Sequence, residues 1–186
     1  MHNRNSTLPE IGTDVLWTGQ EVADFAAAPE TDIFSMRGQD RITFIVKKPA
    51  GGGALQIDLK QHTSYDPAAA GYAVKPLTFK RAWYKSAANL QDEAALNNAD
   101  RPLDWKIVEN FEVTQLDTAA LPNGTATGFP AGDEMFMIEA IGEDMDVDND
   151  FNFVSLCVTA GAGAGVISAV SSGRCYPRLL PDSSVV

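Results

Sequence analysis

Residues 41–60 read RITFIVKKPAGGGALQIDLK, and their spacing decides the fold class. Ile42, Phe44 and Val46 alternate with Thr43, Ile45 and Lys47. Leu55, Ile57 and Leu59 then alternate more cleanly with Gln56, Asp58 and Lys60. Successive side chains of an extended chain point to opposite sides, so this period of two sets one side against a core and the other toward water. Pro49 to Gly53 (PAGGG) has turn chemistry, and the two runs together predict a β-hairpin.

Moving outward, the same signals recur. Leu77–Tyr84 (LTFKRAWY) and Met135–Ile141 are rich in β-favouring residues, as is Val166–Ser172, while Trp105–Val108 and Phe111–Leu116 read as two short strands or one broken strand. Phe151–Thr159 is apolar on both faces, Val154, Leu156 and Val158 against Phe153 and Cys157, which predicts a central strand covered on both sides. Toward the N-terminus, Thr18 and Glu21 have capping-box spacing, and Val22, Phe25 and Ala26 share a face before Pro29, which predicts a short helix. About eight short strands separated by Gly, Pro and Asn turns imply an all-β fold. We expect an antiparallel β-sandwich, jelly-roll-like, over residues 40–186 with an extended C-terminal tail, preceded by an N-terminal arm over 1–39 that carries the short helix.

The chain is 45% hydrophobic and 21% charged, with net charge −11. That acidity argues against nucleic acid or an anionic membrane as partner and allows a basic partner or divalent cations. No run of about 18 apolar residues predicts a membrane span. The opening MHNRNSTLPE lacks an apolar core of signal-peptide type, so we expect synthesis in the cytoplasm. Cys157 and Cys175 lack metal or redox spacing and are expected as buried free thiols. His62, the one internal histidine, has no G-x-S-x-G to serve, and the Gly-rich runs lack the Lys-Ser/Thr of a phosphate loop. The carboxylate pairs Glu139 with Glu143 and Glu109 with Glu112 are what any sandwich supplies by chance.

The densest charge lies in Phe136–Phe153 (FMIEAIGEDMDVDNDFNF), where Asp144, Asp146, Asp148 and Asp150 occupy every second position. In an extended chain the four carboxylates share one face and repel unless something relieves them. EF-hand spacing fails, because Asn149 stands where Gly is needed and Ser155 where Glu is needed. Three readings remain: an oxygen-ligand Ca2+ or Mg2+ site, an acidic patch for a partner's Lys or Arg, or a solvated turn.

Two segments carry a resemblance. The first runs through Asp144-Met145-Asp146-Val147-Asp148-Asn149-Asp150-Phe151-Asn152-Phe153-Val154 to Arg174-Cys175-Tyr176-Pro177. The second holds Gln61, Asp66, Lys75, Leu77, Phe79, Trp83, Tyr84 and Lys85. Together, over roughly residues 40–180, they resemble capsid-associated virion proteins of tailed bacteriophages, of the head decoration or cement kind. The chain departs at Asp150, where that group tends to have Gly, and at Phe153, where Cys is common. The resemblance implies a non-enzymatic protein on the capsid exterior that binds the major capsid protein as a homotrimer. The alternative is another virion component, a head–tail or tail protein, or a glycan-binding surface sandwich. Leu8, Ile11 and Trp17 of the arm, with Tyr176, Pro177, Leu179 and Leu180 of the tail, are the expected partner contacts.

Overall fold

The alternating runs form strands in a computed structural model that describes residues 14–37, 39–48, 54–86, 106–108, 111–118 and 134–172. The strands among the described residues are β1 (Asp14–Val22), β2 (Phe34–Ser35), β3 (Arg41–Lys48), β4 (Gln56–His62), β5 (Val74–Pro76), β6 (Ala82–Ser86), β7 (Lys106–Val108), β8 (Gln115–Asp117), β9 (Glu134–Ile141), β10 (Phe153–Ala160) and β11 (Gly165–Ser172). They make two antiparallel sheets, one ordered β1-β11-β3-β9-β6-β7, the other β2-β10-β4-β5 with β8 also on β4. The fold is the all-β antiparallel sandwich that the period-2 spacing predicts.

Register decides which side chains meet. Phe44 of β3 lies opposite Ile138 of β9 and Ala169 of β11, and Val46 lies opposite Phe136 and Ile167. From the other sheet, Leu59 of β4 lies opposite Leu156, and Ile57 between Val158 and Leu116. All of these side chains are fully buried in one core cluster. Each large one contributes about 1.5–3 kcal/mol by leaving water, more than any single polar contact on the surface.

β3 and β4 do not form the expected hairpin. β3 pairs with β9 and β11, whereas β4 pairs with β10, β5 and β8 in the opposite sheet. Each strand has one apolar face. Crossing the sandwich brings the two faces together through the core, where a hairpin would only lay them side by side. The chain makes such crossings repeatedly, and among the described strands only β4–β5 and β6–β7 are consecutive and paired.

The helix expected from Thr18 is also replaced. Thr18 lies inside β1, which pairs with β11 from Asp14↔Ser171 to Val22↔Gly165, with register shifts around Trp17. Val15, Trp17, Thr18 and Val22 are β-favouring, and a full ladder on the edge of β11 outweighs a cap worth about 1 kcal/mol. Residues 14–22, assigned to an arm from sequence, therefore build an edge of the six-stranded sheet. A helical turn comes later, as the 3-10 turn Phe25–Ala27, whose N-cap Asp24 accepts from Ala26 N at 3.0 Å.

The strand expected over 77–84 begins only at Ala82. Leu77 and Phe79 are instead buried where the chain passes from β5 in one sheet to β6 in the other, and one continuous strand cannot make that crossing. Phe79 keeps a single backbone pairing with Val113. β10 is central, between β2 and β4, as predicted. Its outer-face Ser155 and Cys157 are buried among neighbouring side chains. Cys157 is a free buried thiol, and burial pushes its pKa up. Cys175 lies outside the described residues.

Candidate functional site

One end of the sandwich gathers the connections 36–40, 63–73, 77–81 and 142–152. Strand ends fix this geometry. Arg41 begins β3 opposite Ile141, the last residue of β9, and opposite Ser172, the last of β11. Asp14 begins β1 opposite Ser171. His62 ends β4 opposite Phe153, where β10 begins.

The acidic block is not extended. It forms two 3-10 turns, Gly142–Asp144 and Val147–Asn149. A turn of about three residues sends positions i and i+2 in different directions, so the four aspartates do not share a face. Asp144 Oδ1 accepts from Lys80 Nζ at 2.9 Å. Asp146 Oδ2 pairs with Lys75 Nζ, and both Asp146 oxygens accept from Asn149 Nδ2 at 2.9 Å. The Lys75 ammonium, and after it the Asn149 amide, hold the Asp146 carboxyl below its ordinary range. Gln61, nearly fully buried, accepts from Asp146 N at 2.9 Å and donates from Nε2 to Pro76 O at 3.1 Å. Lys75 Nζ also lies 4.4 Å from the centre of the Phe151 ring. Asp148 and Asp150 are exposed, and Asp150 has φ 64.

This arrangement does not fit a divalent cation. Calcium needs six to eight oxygens and magnesium a near-octahedral set. Here Asp144 and Asp146 are engaged by ammonium groups. Among the described residues, no three or more His, Cys, Asp or Glu side chains are placed to share an ion. The sequence reading missed Lys75 and Lys80 as the groups that relieve the acids, because nothing local ties residue 75 to residue 146.

Beside the block lies a cavity of about 650 Å³ between the β2–β3 connection and the end of β9. Met36, Ile141, Met145 and Val147 supply its apolar lining, and Asp40, Glu143, Arg41 and Arg81 its charged lining. Glu139, 9% exposed, sits behind the two arginines, with Oε1 3.2 Å from Arg41 Nη1 and Oε2 3.5 Å from Arg81 Nε. Glu139 and Glu143 are therefore in different settings, the first between guanidiniums and the second exposed. Of the other acid pair, Glu109 is outside the described residues.

His62 belongs to a directional network that sequence alone did not suggest. Ser155 Oγ donates to Glu30 Oε1 at 2.7 Å, so the same oxygen accepts from His62 Nε2 at 2.8 Å. That tautomer leaves His62 Nδ1 to accept from the Tyr72 hydroxyl at 2.6 Å. Lys60 Nζ closes the chain on Glu30 Oε2 at 2.7 Å. Burial lowers the His62 pKa against the pull of Glu30 and keeps the ring neutral. Burial opposes ionisation of Glu30, but hydrogen bonds from Lys60 and Ser155 outweigh it and lower its pKa. A hydrolytic nucleophile must lose its proton to a base and must be reached by substrate. Ser155 is fully buried and its proton points to Glu30, so the network holds β4, β10 and the 63–73 connection together.

Of the expected partner contacts, Trp17 lies in β1, while Leu8, Ile11, Tyr176, Pro177, Leu179 and Leu180 are outside the described residues. No family model and no curated protein matches the chain. Among solved structures it is similar to the crystal structure of SPBc2 prophage-derived protein YomS, at 9% identity and TM-score 0.33, over 85% of this chain and 97% of that one.

Proposed function

We propose that this chain is a non-enzymatic structural protein of a tailed-phage virion, which binds the outer surface of the major capsid shell and stabilises it. One observation carries the reading. The two segments that resemble phage virion proteins, far apart in sequence, meet around Asp146, where Gln61 and Lys75 from one segment hold Asp146 from the other. The residues behind the resemblance thus form one physical unit. A rigid sandwich with an acidic end suits a protein that adds contact area between capsomers, as a homotrimer on the capsid exterior. A glycan platform is less favoured. Arg81 covers Trp83 at 5.4 Å, and Tyr65 is the exposed large aromatic among the described residues.

The test is size-exclusion chromatography with light scattering, on the protein alone and mixed with undecorated capsids. A trimer that co-elutes with the capsids and raises their rupture temperature is the expected result. A monomer that ignores capsids overturns the proposal. Asp146→Lys would break an internal contact, so charge tests belong to exposed Asp148: Asp148→Lys should weaken capsid binding and reduce its salt dependence.

A further inference from the structure

The cavity at the acidic end has the make-up of a side-chain pocket. Its wall includes Met36 and Met145, both nearly buried, and it opens beside Val147, which is 54% exposed. An exposed valine at the mouth of an apolar cavity leaves apolar surface for a second molecule to cover. One polar atom here lacks a hydrogen-bond donor, Gln39 Oε1 on a cavity-lining residue, whereas Glu139 Oε2, also without a hydrogen bond, already faces Arg81 Nε at 3.5 Å. Charge points the same way. Arg41 and Arg81 both pair with Glu139, while Asp40 and Glu143 add two carboxylates to the lining, and the exposed Asp148 and Asp150 lie on the same connection as Glu143. Carboxylates in excess of the two arginines select a cationic neighbour. The walls are also tied, because Gly142 N donates to Asp40 O at 2.9 Å, so the pocket is formed before anything binds.

We propose that this cavity receives an apolar side chain carried next to a lysine or arginine on an exposed segment of a partner protein. This rests on the docking role proposed above and names the part of the surface that would perform it. The apolar side chain seats on Met36, Ile141 and Met145. The neighbouring cation lies against Glu143 and the Asp148–Asp150 turn.

Carbon-13 methyl spectra of the full-length, methionine-labelled protein test this directly. Of its five methionines, Met36 and Met145 line the cavity. The probe is acetyl-Lys-Leu-Lys-amide, with acetyl-Glu-Leu-Glu-amide as control. Saturable shifts of both methyls with the basic peptide, weaker at high salt, are expected. Glu143→Lys should raise the apparent Kd about three- to fivefold. In Gly142→Leu the shifts should weaken markedly: a Cβ there meets its nearest atoms at an ordinary 3.5 Å, so the new side chain takes up space beside Met36 without forcing the backbone. Unmoved methyls at millimolar peptide, or equal shifts with the acidic control, overturn the inference. Capsid binding separates this failure from failure of the virion role. If Gly142→Leu binds capsids as well as the unaltered protein does, the pocket is not the docking element and the virion role stands. If the unaltered protein does not bind them, the virion role falls and the peptide titration alone decides the pocket.

Discussion

Individual residues here are constrained for reasons that differ from one to the next. Gly165 is held by space. A Cβ built on it lies 2.3 Å from Phe25 Cε2 and 2.4 Å from Lys47 O, a ring locked in the core and a backbone carbonyl. Gly165→Ala should therefore cost about 1–3 kcal/mol, read as a lower thermal midpoint, whereas Gly142→Ala should be near neutral. Asp150 is constrained by backbone. Its φ of 64 and ψ of 14 place it in the left-handed region as the C-cap of the Val147–Asn149 turn. The resemblance marks this position as one where glycine is usual, and the structure supplies the reason. Asp150→Gly should leave stability unchanged or raise it by up to about 1 kcal/mol, and Asp150→Val should lower it by about 1–2 kcal/mol in urea unfolding. His62 is constrained by hydrogen bonding, a condition that no neighbour in sequence reveals, since its partners are Tyr72 and Ser155.

At the scale of elements, the acidic connection between β9 and β10 is held by what it touches. The Lys75 and Lys80 ammoniums dock onto Asp146 and Asp144 from the β5–β6 side. Gln61 fixes the Asp146 amide, and Phe151 N donates to Asp146 O at 3.2 Å. Lys75→Gln should loosen this connection while leaving the sandwich intact. The expected readout is faster amide hydrogen exchange at Asp150 and Phe151 with unchanged exchange in β3, β9 and β10. Uniform exchange across all of them would show that the connection is not held locally. Strand identity was legible from alternation, as β3 and β4 show, because a period of two is a local property. Strand partnership was not. The hairpin expected across residues 49–53 failed because its two strands bury their faces against each other through the core.

For the whole molecule, the ionisable network on the five-stranded sheet sets a pH window. Burial lowers the folded pKa of His62 below 6.5, so the unfolded chain binds the proton more tightly. The stability tied to neutral His62 is present above that value and is lost as pH falls through the folded pKa. Glu30, lowered below 4.5, adds a second loss in stronger acid. Lys60 runs the other way. Its pKa is raised above 10.5 because the Glu30 hydrogen bond outweighs burial, so its share is full below that value and is lost as pH rises through the folded pKa. The urea midpoint should be highest between neutrality and about pH 10 and should fall from pH 7.5 to 5.5. His62→Gln should flatten the fall between 7.5 and 5.5 while lowering stability overall by about 1–3 kcal/mol, since it disturbs buried partners. An unchanged slope in that variant would remove His62 as the cause.

By itself the sequence determined the sandwich class, the buried faces of β3 and β4 and the central place of β10. Each of these follows from residue type and spacing over a few neighbours. Only the tertiary structure decided that β3 and β4 belong to opposite sheets, that residues 14–22 complete a sheet edge, and that Lys75 and Lys80 neutralise the acids. It alone brought His62 to Ser155 and opened the cavity beside Val147. These depend on contacts between residues tens of positions apart, where the free energy of burying two apolar faces together and of matching buried charges overrides local preference.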